Sequence, residues 1–249
     1  MPAEPIRCVP DEDGHVIHMW QPFSFTVEDD YRYRPRGFLT HLGRGLFRCF
    51  AMVLLRILDT AMLGLKIDGR ENLDALEGGA VTVCNHVHPL DCTMIGLALF
   101  PRELYYVSLA SNFQIPLVRH IIRWLGAVPI SKSPHQIGRL FDEMGKAMAE
   151  GALVQIYPEG VLIPYDKALR KFKSGAFRLA ADNGVSVVPM VITQEKPRGT
   201  FFWKRKPCLH LHILPPIAPD PGLAPREAAN DLRQRCLAAM QARLDDSAT

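Results

Sequence analysis

Two side chains able to move a proton stand five positions apart in the segment Asn85-His86-Val87-His88-Pro89-Leu90-Asp91. The apolar run Ala80 to Cys84 just before them reads as a buried strand. Pro89-Leu90-Asp91 reads as a turn into a helix over Cys92 to Phe100. A loop of that length can fold the carboxylate back onto the ring. A carboxylate bonded to one ring nitrogen fixes the tautomer, leaves the other nitrogen to accept a proton and stabilises the imidazolium that forms. His86 is therefore a candidate general base and Asp91 its orienter. The plainer alternatives are a loop histidine bonded to backbone and an aspartate capping a helix.

A second signal lies downstream, where Leu153 to Tyr157 reads as a buried strand running into Pro158-Glu159-Gly160. Ligands of open α/β sheets bind outside the carboxyl ends of the strands, so a carboxylate and a glycine at this point belong on the same side as His86.

These loops need a scaffold, and the chain alternates as an α/β domain does. Strands are predicted at Leu65 to Asp68, Ala80 to Cys84, Leu104 to Ser108, Ala127 to Ile130, Leu153 to Tyr157, Val187 to Ile192 and Leu209 to Leu214. Helices are predicted near Cys92 to Phe100, Ile115 to Leu125, His135 to Glu150 and Ser174 to Asn183, with a last one at Arg226 to Leu244 behind a proline-rich linker. The expected fold class is α/β, a mostly parallel central sheet flanked by helices, preceded by an N-terminal amphipathic helical segment.

Charge divides the N-terminal region. Residues 1–30 hold seven acids and one base, and residues 31–70 hold eight bases and two acids. Three parts are expected: an acidic polar extension over 1–36, a basic amphipathic helix over 37–63 and an α/β domain over 64–249. In the helix, Leu42, Leu46, Phe50, Val53, Leu54, Ile57, Leu58 and Met62 recur at helical spacing, with Arg44, Arg48 and Arg56 on the other side. Two readings compete: a helix packed on the core with its arginines in water, or an interfacial anchor with apolar side chains in the acyl boundary and arginines on anionic head groups. Ile115 to Leu125, with Arg119, Arg123 and Trp124, adds to the second. The longest charge-free stretch between Gly45 and Lys66 is Cys49 to Leu55, far short of the ~20 residues that cross a bilayer. Six cysteines without zinc-finger spacing suit reduced thiols, and no basic stretch leads into an apolar run as in a signal peptide. The expectation is peripheral attachment at the cytoplasmic face of a membrane.

Together, the His86 to Asp91 block and the Tyr157-Pro158-Glu159-Gly160 turn resemble the glycerolipid acyltransferase family, typified by 1-acylglycerol-3-phosphate acyltransferase (PlsC-type). Gly126 to Lys132, Val187 to Ile192 and Phe172 to Phe177 match three further family segments in the family's order. The resemblance implies transfer of a fatty acyl group from an acyl thioester, acyl-CoA or acyl-ACP, to a hydroxyl of a lysophospholipid or glycerol-phosphate-like acceptor. It implies His86 and Asp91 as catalytic residues and Asn85, Lys132, Glu159, Gly160 and Lys173 as substrate-binding, with no bound cofactor or metal. Implied partners are the membrane lipid surface and possibly acyl carrier protein, and no nucleic acid. Two departures stand out: Val161 and Leu162 replace the family's threonine and arginine, and Lys132 stands where the family has an arginine. Both family arginines are associated with the acceptor's phosphate, and a lysine is a point charge without arginine's bidentate fork. Two other functions stay open, a metal-dependent hydrolase using His86, His88 and Asp91, and a non-catalytic lipid-binding relative. His210 and His212 are expected at solvent or a sheet edge. The basic, aromatic stretch Lys196 to Lys206 is expected to be a solvated loop, with coenzyme A or acyl carrier protein contact as the second reading.

Overall fold

The structure is a computed structural model that describes residues 24–35 and 37–248. The first 23 residues of the N-terminal extension, with Cys8, lie outside the described residues, as does Arg36.

Helix α1 (Phe38–Leu63) leads into a seven-stranded sheet built from β1 (Lys66–Asp68), β2 (Ala80–Cys84), β3 (Leu104–Leu109), β4 (Ala127–Ile130), β5 (Leu153–Ile156), β6 (Val187–Glu195) and β7 (Cys208–Ile213). The spatial order is β1-β7-β6-β2-β5-β3-β4, parallel at every pairing except β6 against β7. The mostly parallel sheet agrees with the continuous apolar runs in the sequence, because strands buried on both faces need no polar alternation. In β2 every residue of Ala-Val-Thr-Val-Cys is buried, and its one hydroxyl, on Thr82, donates to Gln155 on β5 at 2.5 Å.

Helices cover both faces. On one side α2 (Asp91–Leu99) and the end of α1 enclose Leu63, Cys84, Met94, Ile95, Leu153 and Met190. On the other, α4 (Pro134–Ala149), α5 (Gly175–Asp182) and α6 (Pro225–Ala248) enclose Val83, Leu140, Met144, Phe177, Val191 and Leu232. The chain leaves β2 toward β3 and leaves β5 toward β6, in opposite directions across the sheet. Such a reversal opens a crevice at the carboxyl ends of the two strands, and the His86 and Glu159 loops both enter it.

Three expectations change. First, Arg44 and Arg48 of α1 face neither water nor head groups, where the two readings had them. Arg44 and Arg48 are buried: Arg44 pairs with Glu103 at 2.7 Å and donates to the Trp124 carbonyl at 2.9 Å, while Arg48 pairs with Glu103 and donates to the Arg102 carbonyl at 2.6 Å. Leu42, Leu46, Phe50, Val53, Ile57 and Met62 are exposed instead. Held between a carboxylate and a carbonyl, each of the two guanidiniums docks the helix, and its apolar row faces out. Second, β7 lies inside the sheet, and His210 and His212 are buried. His210 bridges Asp68 and Glu195 at 2.7 and 2.6 Å; His212 meets Thr193 at 3.0 Å and Arg243 at 3.1 Å. Burial, then His210 and Arg243 beside it, pushes His212 down to about 4. Third, residues 24–35 of the polar extension run against the domain, burying Val27 and Tyr33 beside α4. The helix expected from Ile115 is α3 (Val118–Leu125), preceded by a short 3-10 turn at Ala110–Gln114.

Glu103→Gln leaves two buried guanidiniums without their counter-charge. Because Glu103 itself keeps some water contact, a loss of about 2 to 3 kcal/mol is expected from urea unfolding. Amide exchange in α1 should rise with it.

Candidate active site

The site begins with one oxygen. Asp91 is the first residue of α2, with 0% of its surface exposed, and its Oδ2 accepts the backbone N–H of Val87 at 2.7 Å and of His88 at 3.0 Å. The same oxygen lies 2.9 Å from His86 Nδ1. The capping alternative is therefore not what the structure contains: the carboxylate turns back into its own loop. With Nδ1 engaged, His86 Nε2 has no hydrogen-bond partner among the described residues, and the ring is partly open to solvent. This leaves a lone pair facing the crevice.

Other contacts fix the plane of that ring. Tyr157 stacks on it with centroids 4.0 Å apart and 15° between planes. The backbone N–H groups of Ile163 and Tyr165 donate to the carbonyls of His86 and Val87 at 3.3 and 2.8 Å, so the segment after Gly160 closes over the histidine loop. The stacking role of Tyr157 was not legible in the sequence, where it is only the aromatic before Pro158.

Glu159 enters from β5. It is buried, and its Oε1 has no hydrogen-bond partner. Burial raises its carboxyl to about 7, against the opposing pull of Arg170. A buried, unpaired carboxylate oxygen beside a histidine can receive a hydroxyl donor. Gly160 takes a left-handed φ of 66° with Lys173 lying over it, so a β-carbon there would meet the Lys173 side chain. The Lys173 backbone N–H holds the turn through the Pro158 carbonyl at 2.8 Å.

His86, Asp91, Glu159, Gly160 and Lys173 thus converge. Asn85 and Lys132 are placed differently. The buried Asn85 amide donates to the Ile192 carbonyl at 3.0 Å and accepts the Ile192 N–H at 2.8 Å, so its side chain tethers the end of β2 to β6. Lys132 is exposed after β4, separated from the end of β5 by β3. His88 turns from His86, its Nδ1 accepting the Leu90 N–H at 3.1 Å and its ring meeting Tyr165. His86, His88 and Asp91 therefore do not form one ligand set. Among the described residues the ligand-type side chains close enough to share an ion are Asp68, His210 and His212, which face α6 on the other side of the sheet with Arg243 against them.

The acyltransferase family model matches residues 64–193, which contain all of these loops. Among curated proteins, the chain is 32% identical to a chloroplastic 1-acyl-sn-glycerol-3-phosphate acyltransferase of Arabidopsis thaliana, over 51% of this chain and 35% of that one. It is 35% identical to a 1-acyl-sn-glycerol-3-phosphate acyltransferase of Chlamydomonas reinhardtii, over 51% and 37%. With that of Bacillus subtilis the identity is 24%, over 63% and 76%. The match therefore spans little more than a third of the plant and algal relatives. The fold is that of the solved 1-acyl-sn-glycerophosphate (LPA) acyltransferase PlsC of Thermotoga maritima, with a TM-score of 0.60, 18% identity and 81% of each chain covered. With more than half of its residues under the family model and the site loops inside that span, the chain belongs to the acyltransferase family.

Proposed function

We propose that this protein transfers a fatty acyl group from an acyl thioester to a hydroxyl of a lysophospholipid or glycerol-phosphate-like acceptor at a membrane surface. The observation that carries the reading is the His86 ring held through Nδ1 by Asp91, with Nε2 unpartnered beside the buried Glu159. Its relatives' names add the acceptor class.

In this mechanism the acceptor hydroxyl gives its proton to His86 Nε2 while its oxygen attacks the thioester carbonyl. Asp91 stays ionised and stabilises the imidazolium. The tetrahedral intermediate collapses, the carbon–sulfur bond breaks, and the imidazolium returns the proton to the leaving thiolate. The thioester carries the activation, so the chain supplies alignment and a base. Glu159 Oε1 accepts an acceptor hydroxyl, and Lys173 supplies positive charge beside it. Either acyl-CoA or acyl carrier protein suits the donor side.

The bilayer supports the same reading. Along α1 the exposed row from Leu42 to Met62 joins α3, where Leu117, Ile121 and Trp124 are exposed and Trp124 packs against Phe47 at 5.5 Å. No helix among the described residues is long and apolar enough to cross a membrane, so this surface suits a helix lying in the interface. We place the protein at the cytoplasmic face, as a peripheral enzyme.

Mass spectrometry of products from acyl-CoA with lysophospholipids and glycerol 3-phosphate tests the activity: an esterified acceptor is expected, and hydrolysis to free fatty acid alone would sink the reading. His86→Ala should lower turnover by about 10²- to 10⁴-fold with unchanged circular dichroism. Asp91→Asn should also lower it.

A separate expectation follows from Glu159. Its folded carboxyl titrates near 7, above the ordinary value of 4.5, so the folded state binds the proton more tightly. Its contribution to stability is intact in acid and is lost as pH rises toward and through 7. Glu159→Gln should therefore raise Tm more at pH 8 than at pH 5. Equal shifts at both pH values would refute the assignment.

A further inference from the structure

The connection between β6 and β7 carries Lys196, Arg198, Lys204, Arg205 and Lys206 around Phe201, Phe202 and Trp203. In the structure it is not a loop standing free in solvent. Its base is fixed to the end of α1, where the Lys204 ammonium donates to the Met62 carbonyl. Gly64, the left-handed cap of α1, lies so close to the loop that a β-carbon there would come 2.5 Å from Cys208 Sγ and 3.5 Å from the Phe201 ring. Its other flank reaches the catalytic loops: Lys206 Nζ lies 5.3 Å from the centre of the Tyr165 ring, and that ring meets His88 edge-on at 5.7 Å. Tyr165 holds a left-handed φ of 59°, a strained conformation for a bulky residue that is kept by its bond to the Val87 carbonyl.

The tip, by contrast, is unsupported. Phe202 is 80% exposed and Trp203 is 62% exposed, with Arg205 and Lys206 exposed beside them and Arg198 exposed on the incoming arm. Two large rings held in water among cations are poorly matched to an aqueous surface. They match a bilayer interface well, where rings settle at head-group depth and cations meet lipid phosphates. The exposed row of α1 runs through Leu58 to Met62, the residue to which the loop is bonded, so the loop continues that surface.

We propose that the β6–β7 loop is a second membrane contact: Phe202 and Trp203 enter the interface of an anionic bilayer, Arg198, Arg205 and Lys206 sit on lipid phosphates, and the contact holds the His88 side of the active-site mouth against the membrane. This rests on the reading that α1 lies on the bilayer, and it assigns the loop a role that helix alone does not have. A peripheral enzyme held by one helix can pivot about the helix axis. A contact beyond the end of that helix removes the pivot and fixes which side of the catalytic loops meets the lipid.

The test uses the full chain with Trp203 as its only tryptophan, made with Trp20→Phe and Trp124→Phe. The probe is vesicles of phosphatidylcholine with or without phosphatidylglycerol, their acyl chains brominated. Trp203 emission should shift to the blue and be quenched on vesicles containing phosphatidylglycerol, and much less on phosphatidylcholine alone. Phe202→Ser with Trp203→Ser should lower the vesicle-bound fraction about tenfold. Turnover on a detergent-dispersed acceptor should be unchanged, and turnover on a vesicle-embedded acceptor should fall. Protein that sediments with vesicles while Trp203 emission stays unaltered overturns this proposal and leaves α1 as the anchor. Equal quenching on both vesicle types overturns the part given to the cations, and protein that stays in the supernatant overturns both membrane readings.

Discussion

One carboxylate oxygen organises the His86 loop and the candidate site around it. Asp91 Oδ2 collects two backbone N–H groups and the ring of His86, all from the loop immediately before it. Three donors converge on that oxygen, at the first residue of a helix whose N-terminus also favours negative charge, while Oδ1 is buried without a hydrogen-bond partner. The loop then has little conformational choice, because moving the imidazole means breaking the bonds that hold the backbone beside it. Asn85, just upstream, removes the remaining freedom by using its amide as an extra pairing unit with Ile192. The ring is thus held from behind, below and along the chain, and only Nε2 is left for chemistry.

The second carboxylate in the crevice is treated in the opposite way. Glu159 keeps an unpartnered oxygen and is driven by burial to about 7. Two acids in one site can do different work only when their surroundings separate them. Asp91 Oδ2 is fully taken up by its own loop. Glu159 has capacity to spare, which an incoming hydroxyl can use.

How much of this was legible in the sequence depended on the range of the interaction. The strands were legible because each is a short apolar run between turn residues, and β2 and β4 match their expected spans. The His86–Asp91 contact was legible because five residues of loop leave few ways to fold. The buried pair His210 and His212 was not, since alternating histidines look the same on an edge strand as beneath α6, and only the sheet order decides. The resemblance assigned Asn85 to substrate, and its tether to Ile192 was not legible because that partner is more than a hundred residues away. The tyrosine ring under His86 was hidden for the same reason: β2 and β5 are neighbours in the sheet and distant in the chain.

Helix α1 shows how such distant partners can reverse a pattern-based inference. Its periodicity is correct, yet the arginine side faces inward, because Glu103 at the start of β3 waits there with the Arg102 and Trp124 carbonyls. Hydrophobic burial alone would have rolled the apolar row onto the sheet. Ion pairs and carbonyl bonds set the opposite rotation and leave that row outside, an arrangement that is costly in water and favourable only where the outside is apolar. The far end of the helix is clipped too: buried Asp59 accepts the Thr93 hydroxyl at 2.7 Å, and Thr93 is one turn position from Asp91 on α2. The element that presents apolar surface is therefore bonded at one end beside the sheet and at the other to the helix that carries Asp91. A helix so fixed cannot roll to hide its apolar row without breaking the Glu103 pairs, and cannot shift lengthwise without pulling on α2. Its exposed face and the His86 loop are held in one orientation relative to each other, as the proposed transfer to an acceptor in a lipid surface would require.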